Sequence, residues 1–474
     1  MPVPGHSADR EHKHARHAHD NTGGATARPH GRHIIDTATL WYLIVGALLI
    51  SMGLMESLLE RLPLSPAMFY LAVGYALGPS GIGFVGFDPQ LYPTQLKIVT
   101  EIALIVSLFT VGLKLRASFR EPIWWLPLQL GILSMIVTVG LLTAAGVWLL
   151  GLPVGIAMLL AAILAPTDPI LASDVQIQDA GDRDRIRFGL TGEGGLNDAT
   201  TFPFIMIGLG LTGVAAGVEY VEPGAVLKIL IEFFKGTVGG LVLGWLVGRL
   251  VLFLRHRFRM ALGMEEFLTL GMIALSYGFA HLIEGNGFVA VFMTGLAMRR
   301  IEYTSSGEEA PGEVIGPVAA GEEEHVATDP AKAPAYMTET VLGFNQQLEH
   351  IAEFAMVLLL GVLISGMGMS WEGVGIAALL FFVVRPIAVL VVMPGRANTR
   401  IQKALMAWFG IRGIGSLFYL AYTLENLWVP GTMPRFVSIV LTVIACSVVI
   451  HGISAKPLME LYYRKTDRQA RRAE

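Results

Sequence analysis

The chain has 474 residues and one cysteine, Cys446. A single thiol builds neither a disulfide framework nor a cysteine metal site within one chain. Charge is scarce as well. Asp, Glu, Lys and Arg make up 15% of the residues, against about 25% in a soluble domain. The formal net charge is −4, too small to imply a polyanionic partner, so nucleic-acid binding is not expected. The first 33 residues are polar and hold no apolar core followed by a small-residue cleavage site, so no cleavable signal peptide is read there. What is abundant is apolar surface: 53% of the residues are hydrophobic and mean hydropathy is +0.59. Disorder and an ordinary soluble enzyme are excluded by that balance, and a lipid-facing, all-α polytopic membrane protein is expected.

About 20 apolar residues cross a bilayer as a helix. Thirteen such runs can be read, near 39–57, 65–81, 94–113, 123–150, 154–176, 187–212, 224–254, 264–284, 286–299, 349–368, 372–394, 402–424 and 434–455. Alternate loops carry Lys114, Arg116 and Arg120; Arg183, Arg185 and Arg187; Arg255, Arg257 and Arg259; Arg299 and Arg300; Arg396, Arg400 and Lys403. The loops between them (82–93, 213–223, 366–371, 425–431) contain no Lys or Arg. The positive-inside rule then makes the C-terminus cytoplasmic and, with an odd number of spans, the N-terminus external. Five basic residues in the N-terminal tail, from Arg10 to Arg32, pull against that placement.

Five regions follow. Residues 1–36 are expected to be a disordered His-rich tail. A first membrane half covers 37–300. Residues 301–345 hold nine acids, Glu302 to Glu339, against Lys332 alone, and are expected to be an acidic, disordered cytoplasmic linker. A second membrane part covers 346–456, and 457–474 form a basic cytoplasmic tail.

Ionisable residues inside spans are costly and mark function by default. The fifth span contains Pro166-Thr167-Asp168-Pro169. Pro169 lacks a backbone donor and biases Asp168 away from helical geometry, so the helix is expected to break there. The sixth contains Gly192-Glu193-Gly194-Gly195-Leu196-Asn197-Asp198. Glu193 and Asn197, four apart, share a face, while Asp198 is turned about 100° away. Buried acids need partners, and the cations within spans are Arg385, Arg412 and Lys235. Arg412 lies in a second interrupted segment, Phe409-Gly410-Ile411-Arg412-Gly413-Ile414-Gly415. Spans five and twelve are seven apart, so in two related halves they would run oppositely: an inverted repeat whose two broken helices meet at the midplane. Glu101 and Glu353 are read as interfacial, near helix ends, and His281 and His451 as packed helix residues.

Ala-Pro-Thr-Asp-Pro at 165–169, Ala-Ser-Asp-Val at 172–175, and Leu-Thr-Gly-Glu-Gly-Gly-Leu-Asn-Asp at 190–198 resemble the CPA1-type monovalent cation:proton antiporters, the NhaP-like Na+/H+ exchangers. The glycine-flanked Arg412 and Arg385-Pro386 match as well, and the likeness covers roughly 40–455. The resemblance implies a thirteen-helix antiporter fold with two broken crossing helices, a homodimer in the inner membrane, and no cofactor beyond the transported ions. Asp198 would bind either the cation or the proton, with Thr167 and Asp168 lining the site. Glu193, Asn197 and Arg385 would form a structural cluster, and Pro166, Pro169 and Arg412 would belong to the helix breaks. Asn197 before the aspartate implies one cation for one proton. The chain departs from some relatives at Gly194, where they carry a serine ligand, and at Thr110, where they carry an acid. The resemblance implies Na+ as the cation, and these departures, which leave fewer oxygen ligands, keep Li+ and K+ as alternatives. From another class, an intramembrane aspartyl-type enzyme would use Asp168 and Asp198 as its pair.

Overall fold

The computed structural model describes residues 37–59, 65–213, 224–260, 263–319, 321–395, 398–427, 429 and 431–473. All regular structure among them is helical. Thr37–Leu59 forms α1, whose first part belongs to a unit of its own ending at Glu56. The second unit, from Ser57 onward, holds the remaining helices. These are α2 (Pro66–Leu77), α3 (Pro93–Lys114), α4 (Pro122–Leu150), α5 (Val154–Leu164), α6 (Arg185–Thr212), α7 (Ala225–Phe258), α8 (Glu265–Leu282) and α9 (Gly287–Ser306). They continue with α10 (Ala333–Met367), α11 (Trp371–Val392), α12 (Arg400–Trp408), α13 (Ile414–Asn426) and α14 (Met433–Ala473). Six of the described helices are long and apolar enough to cross a membrane, and α2 and α5 are shorter apolar helices.

Two neighbouring pairs of helices share an irregularity. α4 contains a π-helical turn at Gln129–Leu133 and is followed by α5, which stops at Leu164. α11 contains a π-helical turn at Leu380–Val384 and is followed by α12, which stops at Trp408. A bulged helix thus precedes an interrupted one in each half, seven elements apart, matching the repeat expected from the breaks.

Three expectations are corrected. The fifth span does not resume as a helix after its break. Residues 165–184 run as turns and extended chain with one short 3-10 turn, Ser173–Val175, because Pro166 and Pro169 remove two donors from the ladder. Residues 301–345 are not a disordered linker. α9 continues to Ser306, single helical turns form at Pro311–Ile315 and Glu323–Thr328, and α10 begins at Ala333. Two of the nine acids there meet arginines at close range: Glu302 pairs with Arg116 at 2.9 Å and Arg299 at 3.3 Å, and Glu339 with Arg299 at 2.9 Å. These charge-assisted pairs tie the two ends of the segment to α9 and to the chain just beyond α3. Glu353 lies mid-helix, not near an end, because α10 starts well before the apolar run. At the C-terminal end, α14 carries residues 457–473 as continuous helix. The His-rich segment 1–36 lies outside the described residues.

Candidate functional site

The two helix breaks lie against each other. α5 ends with unsatisfied carbonyls, as every helix does. The Ser416 hydroxyl donates to Ile163 O at 2.7 Å, and the Arg412 guanidinium donates to Ala165 O. α13 begins at Ile414 with unsatisfied N–H groups, and the Ile414 N–H donates to Asp168 Oδ2. Between the breaks, Asp168 N–H donates to Ile411 O at 2.8 Å. Each break thus supplies the charged cap of the other. A carboxylate faces the positive end of α13 and a guanidinium faces the negative end of α5, the arrangement helix dipoles favour. The other Asp168 oxygen, Oδ1, accepts the N–H groups of Ile170 and Leu171, both at 2.9 Å. Asp168 is therefore a cap with both oxygens engaged.

Asp198 differs. It lies on α6 at 0% exposure, and neither carboxylate oxygen has a hydrogen-bond partner. Its backbone carbonyl accepts the Tyr419 hydroxyl. α13 passes so close that a Cβ on Gly415 would sit 2.6 Å from Asp198 Oδ1, and one on Gly413 would sit 2.6 Å from Asp168 Oδ2. These glycines let α13 reach both acids. A buried carboxylate without donors is strongly disfavoured as a bare anion, so a proton or a cation must accompany it.

Thr167 is held by the residue that precedes Asp198: Asn197 Nδ2 donates to Thr167 Oγ1 at 2.7 Å. Asn197 Oδ1 is left buried without a partner. Glu193 and Arg385 form a buried pair, with Nη2 to Oε2 at 2.7 Å; Arg385 also donates to Met406 O at 3.1 Å and Ser134 Oγ at 3.4 Å. The expected cluster of Glu193, Asn197 and Arg385 thus divides. Glu193 and Arg385 tie α6 to α11, and Asn197 turns to the α5 break instead. Lys235 is not a buried cation: its side chain is 38% exposed and 3.6 Å from Glu284. His451 is packed as expected, its ring nitrogens against Ser447 and Trp408 O.

Sequence reasoning missed Ser416, Tyr419 and Ser447. Ser447 accepts the Arg412 backbone N–H at 2.8 Å from α14. Ser416 and Tyr419 follow the glycine-flanked Arg412 directly, and that proximity was the available signal.

A cavity of about 380 Å³ approaches from the loop end free of Lys and Arg, lined by Lys97, Glu101, Tyr277, Phe202, Phe418 and Tyr422 among others. Phe202 is one turn beyond Asp198 on α6, and Phe418 precedes Tyr419. The Phe418 ring meets those of Phe288 and Tyr419 at 5.2 and 5.0 Å. Aromatic rings on α6 and α13, the helices that carry Asp198 and Tyr419, thus form part of the cavity wall.

The family model for the sodium/hydrogen exchanger, transmembrane, matches residues 44–461. The chain belongs to the sodium/hydrogen exchanger family. This is a family of transporters. Among curated relatives of this exchanger, the K(+)/H(+) antiporter NhaP of Alkalimonas amylolytica is 22% identical over 431 residues, which cover 90% of the chain and 67% of the relative. The K(+)/H(+) antiporter NhaP2 of Shewanella oneidensis is 23% identical over 419 residues, 87% of the chain and 65% of the relative. The chain thus spans about two thirds of the length of these relatives. Among solved structures, the sodium proton antiporter MjNhaP1 from Methanocaldococcus jannaschii superposes with a TM-score of 0.66 at 18% identity, covering 89% of the chain and 97% of MjNhaP1. The exchanger therefore has that antiporter fold, in a multi-pass membrane protein.

Proposed function

We propose that the chain is a secondary antiporter that exchanges one monovalent cation for one proton at Asp198. The observation that carries this reading is the Asp198 carboxylate, fully buried and without a hydrogen-bond donor between two helix breaks. A site for exchange must hold a proton or a cation but not both. One isolated carboxylate does so by competition: the bound cation stabilises the ionised form and displaces the proton. Hard alkali cations take oxygen ligands, and Asp198, Thr167 Oγ1 and Asn197 Oδ1 are the nearby candidates, with Asp168 serving the helix ends. One monovalent cation for one proton moves no net charge, and the asparagine before Asp198 agrees with that stoichiometry through the resemblance to electroneutral exchangers. The glycine approach of α13 permits the bundle to rock and present the site to either side.

The relatives' names divide between K+ and Na+, and the cation is read as Na+ with Li+ and K+ as competitors. The reading further places the exchanger as a homodimer in the inner membrane, with its C-terminus cytoplasmic and its N-terminus external. An intramembrane aspartyl-type enzyme is the weaker reading. Its two carboxyls would have to share a proton and a water, whereas Asp168 turns its oxygens to three backbone N–H groups.

The test is a proteoliposome assay with an internal pH probe. Na+, Li+ and K+ are added in turn, with and without an imposed voltage. Cation-driven proton movement that ignores voltage is expected. Its absence for all three cations would overturn the reading, and voltage-dependent exchange would overturn the stoichiometry.

A further inference from the structure

A cavity at the arginine-rich end of the molecule is not used by the exchange reaction. It lies between α7 and α9, beside Phe119 on the connection from α3 to α4, and measures about 380 Å³. One side is apolar, formed by Leu241, Val242 and Trp245; the other carries Arg249, Arg300 and Thr304. The most apolar stretch of α7 is only 28% buried, and Val242 and Trp245 are exposed, so this wall faces acyl chains when the chain lies in a bilayer.

The two arginines have no acidic partner among the described residues. Arg249 projects from the apolar run Leu246 to Leu254, where an unpartnered charge is costly unless it meets an anion or the headgroup layer. The Arg300 guanidinium is held between rings, 5.6 Å from Phe119 and 5.3 Å from Tyr303, and its Nη1 is buried without a hydrogen-bond acceptor. Its position is therefore set while a donor remains unused. A second cavity of about 460 Å³ shares Arg249, Ile301 and Thr304 and adds His256, extending the basic part of the groove. Nothing in the exchange mechanism requires this combination.

We propose that the cavity binds an anionic phospholipid, with its phosphate on Arg249 and Arg300 and an acyl chain along Leu241, Val242 and Trp245. A free phosphate would leave the apolar wall unused, and a zwitterionic lipid would bring its own cation to two arginines. Each arginine near an anionic headgroup strengthens binding roughly five-fold. The bound lipid bridges α7, α9 and the connection leading into α4, so it stabilises the fold.

The test is thermal unfolding of the purified full chain in detergent with added phosphatidylglycerol, phosphatidylcholine or glycerol 3-phosphate. Phosphatidylglycerol is expected to raise Tm, and the other two to leave it within about a degree. Arg249→Gln with Arg300→Gln should abolish the rise while exchange in phosphatidylcholine vesicles persists. Val242→Glu, which keeps both arginines and places a negative charge on the wall, should also lose it and serves if the double variant does not fold. Equal responses to the two lipids would overturn the proposal, as would a rise produced by glycerol 3-phosphate or a rise retained in the variants.

Discussion

The Asp168 carboxylate caps the helix that begins at Ile414, a residue distant in sequence and reached only across the two breaks. The Asp198 carboxylate, next to it in the site, has no hydrogen-bond donor. The two acids should therefore respond oppositely to the same substitution. Asp198→Asn should reduce cation-driven proton movement in everted vesicles to background while Tm stays level or rises, because the amide no longer needs a proton or cation to be buried there. Asp168→Asn should lower stability by about 2 kcal/mol, the worth of a charged cap and its hydrogen bonds. Retained exchange in the Asp198 variant would sink the assignment.

The buried pair of Glu193 and Arg385 should be costly to halve. Arg385→Ala leaves Glu193 charged and alone, with an expected loss of about 3–5 kcal/mol. Lys235→Ala removes a half-exposed partner of Glu284 and should cost less than about 1 kcal/mol. Equal unfolding temperatures for the two variants would count against a structural role for the pair.

Gly415 allows α13 to pass beside Asp198. Gly415→Ala places a methyl 2.6 Å from Asp198 Oδ1. Relief requires the Asp198 carboxylate to turn away or α13 to draw back, at a cost of about 1–3 kcal/mol, and because either displaces the carboxylate relative to α13, exchange should fall more than ten-fold. Gly375→Ala, on α11 with nothing within 4 Å of the new Cβ, is the control and should behave as the parent. Equal activity in the two variants would show that the close approach is dispensable.

Competition at one carboxylate makes a kinetic prediction. Over the range in which the proton occupies the site, the cation concentration giving half-maximal exchange should rise about ten-fold for each unit fall in pH, with the maximal rate unchanged. Stopped-flow records of the internal pH probe at several cation concentrations check this. A half-maximal concentration independent of pH would require separate sites for the two ions.

The apolar runs were legible in the sequence because bilayer thickness sets a length that composition alone can satisfy. So were the breaks at Pro166 to Pro169 and at Gly410 to Gly415, since proline and glycine act on the backbone where they stand. Asp198 could be singled out because charge inside an apolar run is rare. The partners could not be assigned from the sequence. That Asp168 caps Ile414, that Arg412 caps Ala165, and that Asn197 holds Thr167 while leaving Arg385 to Glu193 depend on which broken ends meet. The acid-rich stretch from Glu302 to Glu339 carries the same lesson. Its composition suggests disorder, yet Arg116, just beyond α3, reaches Glu302, and Arg299 on α9 reaches Glu339, only once the helices pack. Local backbone chemistry and hydrophobicity act on neighbours in the chain, whereas charge neutralisation and capping act between groups that only the tertiary structure brings together.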